Sequence, residues 1–147
     1  MHFIRGFKLV FTTIGVTYVL LASSMLVRGV DALRDYAVPP RDVTSPVVED
    51  FFLFFYILMA FIGVLIVLFG YVTRERKQQC LVAAVFCAGQ LLFTLRDLRT
   101  SDTSFGNRLY KGDGTVVFVL IGVVFAAAFG WLAIKGWSRT RSRANAS

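Results

Sequence analysis

The sequence predicts an all-α integral membrane protein, a four-helix bundle with both termini in the cytoplasm. Hydrophobic residues make up 56% of its 147 residues, 15 of them Phe, and the mean hydropathy is +0.67. Four stretches carry no charged side chain, and each is 18 to 23 residues long: 9–27, 51–73, 78–95 and 114–134. A helix needs about 20 apolar residues to cross a bilayer, so each stretch is long enough.

The flanking residues set the helix bounds. We expect helices at about 6–36, 46–73, 78–99 and 114–137, a single membrane domain over 1–137 and a basic flexible tail over 138–147. Pro39 and Pro40 end the first helix, and Ser45 before Pro46 begins the second. The first stretch exceeds the roughly 7 to 15 residues of a signal-peptide core, so we expect it to span the membrane. The short turn at 74–77 predicts that helices two and three are antiparallel neighbours.

Charges at the two ends of the bundle predict its orientation. With four spans, the end that holds both termini and the 74–77 turn has nine Lys and Arg residues against one acid. The other end has seven against eight acids. Because cytoplasmic loops carry more Lys and Arg, both termini should be cytoplasmic. A basic cytoplasmic face suits anionic lipid headgroups, and no basic groove with interleaved aromatic residues indicates nucleic-acid binding.

The third helix has one polar, small face and one apolar face. At about 100° per residue, the polar face comprises Cys80, Ala83, Cys87, Gln90, Thr94 and Asp97. The opposite side carries Leu81, Val82, Val85, Phe86, Leu92 and Phe93. The polar face should turn towards the other helices, because an amide is poorly solvated by lipid. Cys87, Gln90 and Thr94 could line a solute or ligand path, or make hydrogen bonds between helices. For Gln90 the candidate partners are Thr12, Thr13, Thr17, Tyr18 and Tyr56.

Small residues recur at four-residue spacing on the fourth helix, at Gly122, Ala126 and Gly130. Such a ridge allows another helix backbone to come close, either inside the bundle or from another subunit. Gly15 and Gly63 offer similar points of close approach on helices one and two.

Ionisable side chains collect at the helix ends of the predicted outer side. This outer mouth comprises Arg28, Glu49, Asp50, Arg96, Asp97 and Asp113. It could hold a lipid headgroup, a quinone ring or a partner subunit. Alternatively, its members form interfacial ion pairs that each contribute little to stability.

Several site classes lack the residues they require. His2 is the sole histidine and lies at the terminus, which excludes axial His ligation of a haem inside the bundle and a multi-His metal site. The bundle offers no Ser/His/Asp or Cys/His set, and no acid lies inside a span. We therefore expect no metal, no cofactor and no proton-coupled transport.

The layout is similar to that of DoxX-like bacterial inner-membrane proteins. The shared features are a long first outer loop and an acidic start to helix two, here Glu49 and Asp50. The resemblance implies a location in the bacterial inner membrane and carries no activity with it.

These observations favour a non-enzymatic accessory or structural subunit, whose partners are the lipid bilayer and other membrane subunits or a second copy. A small oligomeric transporter or channel is the alternative. A membrane enzyme or ligand-binding protein that uses the outer mouth is a third possibility.

Overall fold

Helices account for nearly all of the chain that the structure, a computed structural model, describes. It describes the backbone of residues 2–36, 45–109, 111 and 113–144, and this part contains no strand. The elements are α1 (His2–Arg28), a 3-10 helix (Gly29–Tyr36), α2 (Pro46–Val72), α3 (Arg76–Thr100) and α4 (Asp113–Ala144). All four α-helices contain a segment long and apolar enough to cross a membrane. The predicted all-α class and the four apolar helices are confirmed.

The first helix ends earlier than the sequence predicted. Gly29 has φ +62°, a left-handed conformation that ends an α-helix and that glycine adopts without steric cost. Residues Gly29–Tyr36 then form a 3-10 helix instead of extending α1 to residue 36. The predicted loop at 37–44 lies outside the described residues.

The last helix continues further than predicted. The backbone is helical through Ala144, whereas residues 138–147 were expected to form a flexible tail. Residues 138–144 contain Arg and Ala, which favour helices, and neither Gly nor Pro interrupts them. Residues 145–147 lie outside the described part.

The four helices form two close antiparallel pairs, α1 with α2 and α3 with α4. In the first pair the backbones meet where two glycines face each other. A Cβ atom added at Gly15 would lie 2.5 Å from the carbonyl oxygen of Gly63, and one added at Gly63 would lie 2.7 Å from that of Gly15. A Cβ added at Gly70 would lie 2.8 Å from the Cβ of Phe11. The α1–α2 pair therefore depends on the absence of side chains at these glycines.

Aromatic side chains fill the space between the two pairs. The Phe11 ring centroid lies 5.6 Å from that of Phe86 and 5.0 Å from that of Phe129, both in edge-to-face contact. Phe86 also packs against Phe129 at 5.6 Å and against Phe69 at 5.8 Å. α1 thus contacts all three other helices, and its span is the most buried of the four.

Helices α2 and α3 are joined by a short turn, as predicted, but they pack less closely than expected. They are antiparallel and touch at Phe69 and Phe86, but each packs mainly against another helix. The short 73–75 turn keeps their ends together without bringing the helices into close contact along their length. The Gly15–Gly63 contact draws α2 onto α1 instead.

Large apolar side chains cover the outside of the bundle. On α2 the exposed ones include Phe51, Phe54, Phe61, Leu68 and Val72. A soluble monomer rarely exposes a continuous apolar surface of this extent. Such a surface is typical of helices that contact lipid tails.

The glycine contact yields a paired prediction. We expect Gly63→Ala to lower the free energy of unfolding by about 1 to 3 kcal/mol, because the new Cβ would overlap the Gly15 backbone. Gly89→Ala should leave it unchanged or raise it by up to about 1 kcal/mol, since that position has open space and alanine favours helix. Unfolding in mixed micelles by titration with a denaturing detergent measures both. Equal effects of the two substitutions would contradict the close contact.

Candidate functional site

The polar face of α3 lies inside the bundle. Cys80, Ala83, Gln90 and Thr94 are buried, while Cys87 and Asp97 are half-buried. On the other side of the helix, Leu81, Val85, Leu92 and Phe93 are exposed. The structure thus turns the polar face inward, as the sequence predicted.

Two residues assigned to the apolar outer side lie inside instead. Val82 and Phe86 are partly buried and pack against the core cluster of Phe7, Phe11 and Phe129. α3 contacts α1 on one side and α4 on the other, so it buries a wider arc than its polar face alone. The prediction that these two side chains face outward is wrong for that reason.

The polar face of α3 packs directly against the small-residue ridge of α4. A Cβ atom added at Gly122 would overlap the Thr94 hydroxyl, and one added at Gly130 would lie 3.3 Å from the Cys87 sulfur. Between them, the Cys87 thiol donates a hydrogen bond of 3.3 Å to the carbonyl oxygen of Ala126. The polar face of α3 and the small-residue ridge of α4 therefore form one interface. The small residues of α4 leave space for the side chains of α3.

Gln90 connects this interface to α1. The Tyr18 hydroxyl donates a hydrogen bond to Gln90 Oε1, and the Thr94 hydroxyl donates one of 2.8 Å to the Gln90 carbonyl oxygen. Tyr18 is one of the five partners that the sequence proposed. Its ring also packs against Phe125 of α4, with 5.9 Å between ring centroids. The Tyr18–Gln90 bond is thus a polar contact between the two helix pairs.

Two of the other candidate partners of Gln90 make contacts elsewhere. Thr17 donates a hydrogen bond of 2.9 Å to the Thr13 carbonyl oxygen within α1. Tyr56 packs near the outer end of α2, against Phe52.

The structure describes part of the predicted outer mouth. Arg28, Glu49, Asp50 and Arg96 are exposed, and the Asp113 side chain lies outside the described residues. Arg96 pairs with its neighbour Asp97 at 2.9 Å, and none of the described ion pairs joins either of them to Glu49 or Asp50. A pair of this exposure contributes about 0 to 1 kcal/mol.

An apolar cluster lies at the end of the α1–α2 pair that is opposite the 73–75 turn. Met25, Ala32 and Phe52 are buried together, and Leu33 and Tyr56 pack against them. The 3-10 helix therefore folds back onto α1 and α2. This contact was absent from the predictions, because a continuous first helix would carry residues 29–36 away from α2.

The loop between α3 and α4 is held by its own hydrogen bonds over the described residues 101–109. The fully buried Ser101 donates through its hydroxyl to the Leu98 carbonyl oxygen at 2.8 Å, and its own carbonyl oxygen accepts from the Arg108 amide at 3.2 Å. Arg108 adopts φ 56° and pairs with Asp102 at 3.3 Å. These contacts pair Asp102 with Arg108 inside the loop.

Gln79 is a buried polar residue that the sequence analysis missed. Its side chain is fully buried, and its Nε2 donates a hydrogen bond of 2.9 Å to the Thr73 carbonyl oxygen. It thereby satisfies a carbonyl at the α2–α3 turn, where the helical hydrogen bonds of α2 stop. In the sequence Gln79 closely follows the charged residues 74–77, a context that is typical of a solvent-exposed helix end.

The described residues contain no cluster of three or more His, Cys, Asp or Glu side chains that could hold a metal ion. The chain matches no known family model, no curated protein and no solved structure. The DoxX-like resemblance stays a prediction.

The Tyr18–Gln90 bond can be tested by a double-mutant cycle. We expect Tyr18→Phe and Gln90→Leu each to lower the free energy of unfolding by about 1 kcal/mol, with a coupling energy of about 0.6 kcal/mol and at most roughly 1.7 kcal/mol. The matched cycle of Thr17→Val with Gln90→Leu should be additive, because Thr17 bonds within its own helix. Additivity in both cycles would mean that Tyr18 and Gln90 do not interact.

Proposed function

We propose that the chain is a non-enzymatic integral membrane protein, a small accessory or structural subunit that packs against partner membrane proteins or itself. The observation that supports this most is the use of the α3 polar face. Its thiol, hydroxyl and amide groups pack against the α4 ridge and bond to Tyr18. These groups hold helices together, which is a structural role.

The same packing weighs against a transport path along α3. A path would need space beside Cys87, Gln90 and Thr94, whereas Gly122 and Gly130 are in contact with these side chains. Labelling of Cys87 by a membrane-impermeant thiol reagent in intact membranes would favour the transporter instead. At the outer mouth, Arg96 pairs with its own neighbour Asp97, which gives little support to an enzyme there.

The outward face of α3 is the surface that we assign to a partner helix. The α3 span is the least buried of the four. Leu81, Ala84, Val85 and Ala88 are exposed on one face, and the space beside Gly89 is open. Small residues at a helix surface allow another helix to approach closely in a membrane.

A substitution on this face tests the proposal. We expect the wild-type protein, purified in mild detergent, to have the mass of a complex with a second copy or another membrane protein. Ala88→Leu should reduce that complex several-fold without changing unfolding of the chain itself. Ala127→Leu is the matched control, because Ala127 is an exposed alanine on α4.

Two results would contradict the proposal. One is a wild-type protein that remains a single chain in every mild detergent. The other is a complex that both substitutions leave intact, which would place the partner elsewhere.

We further propose that the membrane is a bacterial inner membrane and that both termini face the cytoplasm. The support is the excess of Lys and Arg at the end with the 73–75 turn, together with the DoxX-like layout.

Reporter fusions test this orientation. A fluorescent protein fused after Ser147 should be fluorescent, and alkaline phosphatase inserted within residues 37–44 should be active, since one reporter requires the cytoplasm and the other the opposite side. Reporters that place both sites on one side would contradict the four-span topology. Exchanging the two reporters should give two inactive fusions and serves as the control.

A further inference from the structure

The end of the bundle that carries the 73–75 turn is strongly basic. Among residues with described side chains, Arg5, Arg74 and Lys77 are exposed there, and Lys8, Arg76 and Lys135 are half-buried. Glu75 is the one acid of this end. The sequence adds Arg139, Arg141 and Arg143 on the helical end of α4.

Two lysines of this end lie over exposed aromatic rings. Lys8 Nζ is 5.2 Å from the centroid of the Tyr71 ring, and Lys135 Nζ is 4.1 Å from that of Trp131. The rings themselves are about half exposed, at 55% and 52%. A lysine held over a ring keeps its ammonium at one depth, and an ammonium group carries three N–H donors.

An exposed apolar side chain stands next in the sequence to one member of each lysine–ring pair. Val72 follows Tyr71 and is 72% exposed, and Ile134 precedes Lys135 and is 74% exposed. A ligand that contacts these surfaces as well as the ammonium groups needs an anionic head joined to an apolar chain. Neither a free phosphate ion nor a nucleic acid has that combination.

We propose that this basic end binds the headgroups of anionic phospholipids, with Lys8 and Lys135 donating hydrogen bonds to the phosphate groups. Tyr71 and Trp131 lie at the level of the headgroups, where aromatic side chains are enriched, and the acyl chains lie along the adjoining apolar surface. Basic side chains at a membrane surface attract anionic lipids, and salt weakens this attraction. The opposite end has no comparable excess of positive charge, so the preference applies to one leaflet.

The lipid shell of the reconstituted protein tests this proposal. Full-length protein is placed in phosphatidylcholine vesicles that contain either spin-labelled phosphatidylglycerol or spin-labelled phosphatidylcholine. Electron paramagnetic resonance then gives the fraction of each label that the protein immobilises. We expect the wild-type protein to prefer phosphatidylglycerol about five-fold at low salt, and less at high salt.

Two matched double variants test whether the preference for phosphatidylglycerol comes from the basic end of the bundle. Lys8→Gln with Lys135→Gln should at least halve it, whereas Arg108→Gln with Lys111→Gln, exposed residues of the opposite end, should leave it unchanged. Far-UV circular dichroism verifies that both double variants remain helical.

Four outcomes would overturn the proposal. The first three are a wild-type protein that shows no preference, a Lys8/Lys135 variant that retains the full preference, and an Arg108/Lys111 variant that loses it. In the fourth, inorganic phosphate at matched ionic strength displaces the labelled phosphatidylglycerol, which would identify a site for free phosphate.

Discussion

Close approach of helix backbones is the constraint on which this bundle depends. Lipid tails are as apolar as leucine, so burying apolar side chains between helices gains little over leaving them in lipid. Association of the helices must then come from close packing of their surfaces, and close packing requires small residues where helices cross. Gly15 and Gly63 are the small residues at the crossing in one pair, and Gly122 and Gly130 are those in the other. The aromatic cluster around Phe11 and Phe86 then fills the wider space between the pairs.

The buried polar groups determine how the packed helices are positioned relative to one another. A buried amide must remain beside its hydrogen-bond partner, so it opposes the sliding of one helix along another. The Tyr18–Gln90 bond therefore fixes how α1 stands relative to α3, although its energy is small. The Cys87 thiol acts similarly towards the Ala126 carbonyl between α3 and α4. We infer that polar side chains set the register and small residues set the distance.

Sequence patterns predicted the features that depend on one helix at a time. The four apolar stretches, the inward polar face of α3 and the ridge at Gly122 are all properties of a single helix. The patterns were less informative where two helices share a surface. Val82 and Phe86 lie inside because α3 has neighbours on two sides, which no helical wheel shows.

Two other differences have local causes. Gly29 ends α1 through a left-handed backbone conformation that glycine permits but does not require. The short turn suggested that α2 and α3 pack together, yet a turn limits only the distance between helix ends. The glycines facing each other on α1 and α2 decide which helices pack along their whole length. Where such a contact competes with chain connectivity, composition alone does not predict the outcome.

The pairing of α1 with α2 and of α3 with α4 has a consequence for synthesis of the chain. Each pair consists of consecutive helices, so its tightest contacts join segments that leave the ribosome one after the other. The Gly15–Gly63 contact can close once the second helix is in the membrane, before α3 exists. The α3–α4 hairpin can close in the same way, and docking of two finished hairpins through Phe11, Phe86 and Phe129 completes assembly. In each pair, the first helix therefore waits only for the next helix of the chain, and not for a partner that is synthesised much later.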